Sequence, residues 1–279
     1  MRTAKTPQAR TMSLVVTLVI AAGAFLMLVP FYWLIVASTH LSRDIFSNPP
    51  NLAVGDQLFT NLGHLFGDTG FGNALKNSFL IAILYALIGG SVCTAAGYAF
   101  AKFSFPGQGV LFGAVLITLA LPSQVTLVPL FQIMVQLNWL NTYQALILPN
   151  LALPFGIFLM RQTMQSVPDE LIQAARVDGA GEFRIFLQVV LPTMRPALAA
   201  LGIFMFLGQW NDFVYPLIIL RTADAYTIPV ALASLQGVSD TDYGQLLAGT
   251  AVSVLPVLIL FLFLQRHFVA GILAGAVKQ

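Results

Sequence analysis

The sequence from Arg161 to Pro196 reads RQTMQSVPDELIQAARVDGAGEFRIFLQVVLPTMRP. These 36 positions hold eight of the chain's 24 charged residues, and long apolar runs lie on both sides. A polar segment of this density, set between apolar runs, is where we expect the protein to meet a partner in water.

The composition indicates that the solvent for the rest of the chain is a lipid bilayer. Of 279 residues, 58% are hydrophobic and 9% are charged, whereas a soluble domain carries about 25% charged residues. A water-soluble fold of this length must expose many polar groups, and this chain has too few to cover itself. About twenty apolar residues cross a bilayer as a helix, and six runs have that length: Ser13–Ala37, Asn77–Ala101, Gly109–Val135, Tyr143–Met160, Ala197–Leu220 and Leu246–Gln265.

These runs predict an all-α polytopic membrane protein with six transmembrane helices. Helix is the only suitable structure because an isolated strand would leave its backbone groups unpaired in lipid. The first run has 25 residues, longer than the roughly 7–15 of a signal-peptide core, so we expect a retained helix. The predicted organisation is an N-terminal tail over residues 1–12, a membrane domain over 13–268 that contains the loop 161–196, and a C-terminal tail over 269–279.

The basic residues predict the orientation, because cytoplasmic segments are enriched in Lys and Arg. With the N-terminus inside, ten basic residues fall in inner segments: Arg2, Lys5, Arg10, Lys102, Arg161, Arg176, Arg184, Arg195, Arg266 and Lys278. Three fall outside: Arg43, Lys76 and Arg221. Both termini and the 161–196 loop are therefore expected in the cytoplasm.

The loop itself is predicted to be two short helices joined by a sharp bend. Ser166 is expected to cap the first helix, and the side chain of Asp169, at the third helical position, is expected to bond back to the Ser166 backbone amide. Gly179 is expected to end that helix in a left-handed conformation. In the second helix one apolar stripe is predicted, formed by Phe183, Phe186, Leu187 and Val190, and Leu191–Pro192 is expected to end it.

Polar residues inside the apolar runs are candidates for a translocation path. Asp212 lies within the fifth run, where a carboxylate usually faces a bundle interior or water. A position near the interface, where the carboxylate is hydrated, is the alternative reading. The candidates are Asn77, Gln209, Asn211, Asp212 and Tyr215. In the second run, the small residues Gly89, Cys93, Gly97 and Ala101 recur at a spacing of four, which favours close packing of a neighbouring helix.

Several kinds of chemistry are missing from the sequence. None of the four lysines follows a glycine-rich phosphate loop, so the chain has no nucleotide-hydrolysing motif. The three histidines and the single cysteine show no metal-ligand spacing, and no serine lies in a nucleophile elbow. We therefore expect neither an enzyme nor a metal site.

The loop resembles a known family at the segment Gln173–Ala180, which reads QAARVDGA, with Leu191–Pro192 further on. This pattern is similar to the EAA loop of the inner-membrane permease subunits of binding-protein-dependent ABC importers. Further matches are Asn77–Ser78, Ala99–Ala101, Phe105–Gly107, Leu121–Pro122, Trp139–Thr142 and Trp210–Asp212 with Pro216. Together they resemble the second permease of the carbohydrate, maltose-like branch.

The resemblance implies a type I ABC importer permease fold in which the loop is a coupling helix that docks on an ATPase. The residues that it assigns to coupling are Asp169, Glu170, Gln173, Ala174, Ala175, Asp178, Gly179 and Pro192. Gln173 departs from the family's glutamate, which puts an ion pair at that position in doubt, and Glu170 is a possible partial substitute. The segment Arg221–Gln245 resembles the loop that enters the binding protein's ligand cleft in maltose-like relatives.

The resemblance also implies partners and a location. The expected partners are a second homologous permease, two ATPase subunits that bind ATP and Mg, and an extracytoplasmic solute-binding protein. No cofactor is expected in this chain itself, and no nucleic-acid partner. The expected location is the cytoplasmic (inner) membrane of a bacterium or archaeon.

Other functions are compatible with parts of the sequence. A secondary transporter would need intramembrane ion-binding groups, for which Asp212 is the single candidate. A permease of the same superfamily for phosphate esters, peptides or metal ions is a second alternative, because the solute class follows from the whole-chain resemblance and not from a readable sugar site. A membrane scaffold or receptor is a third, against which the proline-interrupted runs and the ordered loop argue.

Overall fold

A computed structural model describes the backbone of residues 7–237 and 241–276, with side chains for 12–122, 124–237 and 241–263. Every regular element within these residues is helical. The helices are α1 Pro7–Ala37, α2 Ser42–Ile45, α3 Leu58–Asp68, α4 Phe71–Lys102, α5 Gln108–Leu119, α6 Leu127–Gln136, α7 Tyr143–Ile147, α8 Pro154–Met164, α9 Asp169–Val177, α10 Glu182–Ile185, α11 Leu191–Thr193, α12 Arg195–Trp210, α13 Val214–Ile219, α14 Ile228–Ser234 and α15 Tyr243–Ala276.

Helical backbone extends into both predicted tails, since α1 begins at Pro7 and α15 ends at Ala276. The ends of the two tails, residues 1–6 and 277–279, lie outside the described residues. So do the side chains of five basic residues used for the orientation: Arg2, Lys5, Arg10, Arg266 and Lys278.

Among the described residues, three helices are long and apolar enough to cross a membrane: Met12–Ala37, Phe71–Lys102 and Tyr243–Phe263. Three more candidates are bent pairs: Gln108–Leu119 with Gln124–Gln136 at 98°, Tyr143–Asn150 with Pro154–Met164 at 44°, and Glu182–Thr193 with Arg195–Trp210 at 84°. Up to six spans result if each pair is one span. Pro122 and Pro154 stand at the first two breaks, as expected for residues that cannot continue a helical hydrogen-bond ladder.

The fifth predicted run, Ala197–Leu220, is wrong as a single helix. Helix α12 ends at Trp210 and α13 begins only at Val214. The Asn211 side chain donates to the carbonyl of Leu207 (2.9 Å), which also accepts from the backbone N–H of Asn211 (3.1 Å), so the helical ladder reaches this residue and stops after it. The run therefore contains a break at its most polar residues.

The chain divides into two compact units, Met1–Thr69 with Ser234–Val254 and Gly70–Ala233 with Leu255–Gln279. In the first unit a buried amide holds the chain that follows α1. Asn61 Nδ2 donates to the carbonyls of Ser38 (2.9 Å) and His40 (3.0 Å). Gly244 leaves room for that amide, because a Cβ there would lie 2.8 Å from Asn61 Nδ2.

The core of the second unit forms where α4 packs against α8 and α12. A Cβ on Gly97 would lie 2.6 Å from Met160 Cβ, and one on Gly89 would lie 2.5 Å from Met205 Cε. Cys93 is fully buried between these two glycines. The close packing predicted for the small-residue stripe of the second run is thus observed, and it is made by glycines that let neighbouring helices approach α4.

Candidate functional site

Helix α9 is fastened to the end of α4 by a buried lysine. Lys102 Nζ donates to the carbonyl of Val167 (2.6 Å) and forms an ion pair with Asp169 Oδ1 (2.6 Å). The Lys102 side chain is 6% exposed, whereas that of Asp169 is 71% exposed. A charge this deeply buried is costly unless it is paired, so the lysine fixes the first residue of α9 to the membrane-spanning helix.

A second tie joins the end of α8 to α4 and α5. The guanidinium of Arg161 lies 4.0 Å from the ring centroid of Phe112, a cation–π contact. Its Nε donates to the carbonyl of Phe100 (3.3 Å). The segment that leads into α9 is therefore held on both sides.

The predicted cap of the first loop helix is wrong. Ser166 Oγ donates backwards to the carbonyl of Thr163 (2.7 Å), and α9 begins at Asp169 after an extended Pro168. Asp169 is therefore the first residue of the helix and not the third, and its carboxylate binds Lys102 instead of a capping amide.

The predicted end of that helix is confirmed. Gly179 has φ +80°, and two backbone bonds close the turn, Ala180 N to Ala175 O and Gly179 N to Arg176 O, each 3.0 Å. This pair of bonds is a Schellman motif. Beside it Arg176 Nε donates to Glu182 Oε1 (2.6 Å), which raises the pKa of Arg176 and braces the bend.

Half of the predicted apolar stripe of the second loop helix is confirmed, because Phe186 and Val190 pack against the core, whereas Phe183 and Leu187 are exposed. Residues Phe186–Val190 form a π-helical turn, which adds a residue to the turn and shifts the buried face. Ile185 and Val190, five positions apart, are fully buried, whereas Phe183 is 75% exposed. Periodicity at 3.6 residues per turn could not reveal this shift.

Most residues assigned to coupling by resemblance lie on the exposed side of the loop. The exposed ones are Asp169, Glu170, Gln173, Ala174, Asp178, Gly179 and Pro192. Ala175 is half-buried and packs against the core, so of the two alanines only Ala174 faces outward. Three further apolar residues of the loop, Leu171, Val177 and Phe183, are exposed and were not among the predicted coupling residues.

A cavity of about 360 Å³ with a mixed polar and apolar lining lies within the second unit, among α4, α6, α12 and α13. Its polar lining is Tyr85, Gln124, Thr126, Asn150, Gln209, Asp212 and Tyr215, and its apolar lining includes Phe204 and Met205. Tyr85 Oη donates to the carbonyl of Asn150 (3.1 Å), and Tyr215 Oη donates to that of Ala145 (3.0 Å). Gln209 is 8% exposed, and its Nε2 has no hydrogen-bond partner among the described residues.

Of the five predicted path residues, the structure brings Gln209, Asp212 and Tyr215 together at this cavity. Asn211, with its side chain bonded to its own helix, does not line it. Tyr85, Gln124 and Asn150 also line the cavity and were not among the candidates, although each is a polar residue inside an apolar run, the same signal that singled out Asp212.

Asn77 does not line the cavity either, because it holds the segment that follows α13. Its Nδ2 donates to the carbonyls of Asp224 (2.7 Å) and Tyr226 (3.0 Å), and its Oδ1 accepts from Tyr143 Oη (2.6 Å). Asn141 supports the same segment by accepting from the Arg221 amide (2.8 Å). Asn77 is therefore a buried brace at the beginning of α4.

Residues 91–273 match the family described as "Binding-protein-dependent transport system inner membrane component". The chain belongs to this family. The matched region contains the loop with α9 and the α12 and α13 side of the cavity. The chain is thus a transport permease rather than a member of a known enzyme family.

Individual relatives cover nearly the whole permease. The arabinooligosaccharides transport system permease protein AraQ of Halalkalibacterium halodurans is 38% identical over 96% of this chain and 97% of its own length. The lactose transport system permease protein LacG of Rhizobium radiobacter is 35% identical over 93% and 94%.

A solved structure shares the fold. A chain of a bacterial ABC transporter involved in the import of the acidic polysaccharide alginate superposes with a TM-score of 0.81 at 20% identity, over 95% of this permease and 99% of that chain. The expected all-helical, type I ABC importer permease fold is confirmed.

Proposed function

We propose that this permease is one of two membrane-spanning subunits of an ATP-driven importer for a sugar or oligosaccharide. The observation that carries the proposal is the attachment of α9, whose outer face is exposed while its first residue is tied to the end of α4 through Lys102. An exposed helix with such a tie can pass the movement of a partner directly to the membrane-spanning helices. The sugar class is supported by AraQ and LacG, both named for sugar transport.

The proposed mechanism uses two ATPase subunits that bind ATP and Mg, a second permease and an extracytoplasmic solute-binding protein. Closure of the ATPases around ATP would displace α9, and the Lys102 and Arg161 ties would carry that displacement into α4 and α8. The Schellman motif at Gly179 and the Arg176–Glu182 ion pair would keep the end of α9 rigid, so that the helix would move as one piece. Hydrolysis belongs to the partner subunits, and this chain provides the mechanical link.

The proposed setting is the inner membrane of a bacterium or archaeon, with both termini and α9 in the cytoplasm. The support is the ten-to-three bias of basic residues. In this orientation the segment braced by Asn77 and Asn141 faces outward, where a binding protein would deliver the solute.

The test is solute uptake by the complete importer, purified with its co-expressed partners and reconstituted in proteoliposomes with the binding protein. Uptake of arabinotriose or lactose is expected to require ATP on the side of the membrane that carries the ATPase subunits. It is expected to persist when ionophores collapse all ion gradients. Uptake that proceeds without ATP and stops with the ionophores would contradict the proposal and favour the ion-gradient alternative.

A further inference from the structure

Helix α4 carries a buried polar side chain near each end, and each of them holds a neighbouring segment. Lys102 holds the beginning of α9, and Asn77 holds residues 221–228, the outer segment, which follows α13. We infer that Asn77 is a positioning residue for coupling, which joins the outer segment to α4 so that a protein partner docking there moves the helix that ends at Lys102. The inference rests on the proposed importer function and deepens it, because it assigns a route from the binding protein to the ATPases.

The first observation is the set of bonds that Asn77 makes. Its Nδ2 donates to the carbonyls of Asp224 (2.7 Å) and Tyr226 (3.0 Å), and its Oδ1 accepts from Tyr143 Oη (2.6 Å). A side-chain amide has two N–H donors and a carbonyl acceptor, so each polar atom of this side chain has a partner. Asn77 is 4% exposed, and a hydrogen bond is stronger inside a protein than in water. These bonds tie two peptide groups of the outer segment directly to α4.

The next residue of α4 makes a second attachment further along the outer segment. Ser78 Oγ, which belongs to a buried side chain, accepts from the backbone N–H of Ile228 (2.8 Å) at the beginning of α14. Consecutive residues of a helix point roughly 100° apart, so Asn77 and Ser78 hold the segment from two directions. The segment therefore cannot swing about a single point of attachment, and a push on it is passed to α4.

The beginning of the outer segment is held by Asn141. Its Oδ1 accepts from the backbone N–H groups of Arg221 (2.8 Å) and Thr222 (3.2 Å), and its own N–H donates to the carbonyl of Ile219 (3.0 Å). Asn141 has φ +61°, a conformation that asparagine adopts more readily than most residues. Both ends of the outer segment are thus fixed, which suits a segment that transmits a displacement rather than one that absorbs it.

One face of the outer segment is accessible to a partner. Residues 221–224 are exposed, whereas Ala225 and Ile228 are buried. An open depression of about 330 Å³ lies beside Thr222 and Asp224, and further hydroxyl and amide groups line it. These groups and the Asp224 carboxylate suit hydrogen bonds from the side chains of a protein, such as the binding protein of the proposed importer.

Helix α4 connects the outer segment to α9 without a break. It is one α-helix of 32 residues, so Asn77 and Lys102 lie about 38 Å apart along its axis at roughly 1.5 Å per residue. No proline interrupts it, and its middle packs closely against α8 and α12. The separation of the two side chains exceeds the roughly 30 Å of a bilayer's hydrocarbon core, so they lie on opposite sides of the membrane.

The experiment measures how loaded binding protein stimulates ATP hydrolysis by the reconstituted importer. Asn77→Leu keeps a side chain of similar size but removes all three bonds. At saturating binding protein, loaded with arabinotriose or lactose, we expect the stimulation to fall about ten-fold, the effect of losing one to two hydrogen bonds. Hydrolysis without binding protein should continue. The control is Asn73→Leu, which changes an exposed asparagine on the same helix and should be stimulated like the wild type.

A merely structural role of Asn77 predicts a different result. Hydrolysis with and without binding protein would then fall together, along with the unfolding midpoint. Tyr143→Phe is a milder variant for the case that Asn77→Leu does not assemble, because it removes only the hydroxyl that orients the Asn77 amide. We expect it to lower the stimulation about three-fold. Wild-type stimulation in Tyr143→Phe, or in an assembled Asn77→Leu importer, would overturn the inference.

A double variant tests whether Asn77 and Lys102 act on the same route. Asn77→Leu and Lys102→Met are each expected to lower ATP-dependent uptake about ten-fold, and the double variant should also lose about ten-fold if α4 carries motion from one residue to the other. Losses that multiply to about a hundred-fold would show two independent roles and overturn the inference. A wild-type importer whose ATP hydrolysis does not respond to loaded binding protein would instead contradict the proposed function.

Discussion

At the scale of the residue, Lys102 is the side chain on which the proposed coupling depends most directly. Two oxygens that belong to the beginning of the α9 segment, Val167 O and Asp169 Oδ1, satisfy its buried ammonium group. Hydrogen bonds to charged groups contribute roughly 1.5–3 kcal/mol, and Asp169 is too exposed to contribute the upper value because water competes for it. The tie is strong enough to carry motion, yet its loss should not unfold the protein.

Lys102→Met tests this residue. The variant keeps the apolar stem of the lysine and removes both bonds, so α9 should move without α4. We expect uptake in proteoliposomes to fall roughly ten-fold, as for a loss of about 1.4 kcal/mol, while ATP hydrolysis continues. Lys76→Met is the control, because Lys76 is an exposed lysine on the same helix. Equal uptake by the two variants would mean that the Lys102 tie carries no motion.

At the scale of the element, the sequence predicts where apolar helices lie better than how they bend. Apolar length was enough to locate α1, α4 and α15, because a bilayer accepts only long apolar helices. The break after Trp210 and the π-helical turn at Phe186–Val190 depend on local hydrogen bonding and packing. The number of apolar residues in a run does not predict either of these. For the same reason the bend at Gly179 was predictable from glycine's tolerance of positive φ, whereas Lys102 was recognised only as a basic residue near a helix end.

Gly97 tests the packing of α4 against α8. In Gly97→Ala the new Cβ would lie 2.6 Å from Met160 Cβ and 2.8 Å from the Arg161 backbone nitrogen, and backbone cannot give way cheaply. Such overpacking costs about 1–3 kcal/mol, so the unfolding midpoint of the purified complex should fall. Gly90→Ala on the same helix meets no atom within 4 Å and should not lower it; equal midpoints for the two variants would contradict this packing.

Helix α9 can be tested as a stiff element. Ala174→Pro removes an amide from the middle of α9 and places the ring against the preceding turn, which costs about 3 kcal/mol or more. We expect the importer to assemble but to hydrolyse ATP without the stimulation by loaded binding protein, and to lose uptake. Ala174→Ser keeps the amide at the same exposed position and should retain both activities. Normal uptake by the proline variant would rule out α9 as a lever.

At the scale of the whole molecule, the described surface suits lipid and partner subunits rather than water. Residues 12–32 of helix α1 are exposed and mostly apolar, with Leu18, Phe25 and Met27 each more than half exposed, and a helix that is apolar all round belongs in a membrane or a large core. The loop that carries α9 differs from this apolar surface, because Asp169, Glu170, Asp178 and Glu182 are all exposed on it. A charged surface of this kind suits a partner in water, as proposed for the ATPase.

The orientation of the chain in the membrane can be tested with single cysteines. The native Cys93 is fully buried, so a membrane-impermeant maleimide should leave the wild-type chain unlabelled and provide the background. Gln165→Cys, at the exposed end of α8, and Ala223→Cys, in the exposed segment before α14, lie at opposite ends of the expected topology. Because basic residues mark the cytoplasmic side, Ala223→Cys should label in right-side-out vesicles and Gln165→Cys only in inside-out vesicles. The reverse pattern would place α9 outside, away from ATP, and the coupling proposed for Lys102 would then have no driving partner.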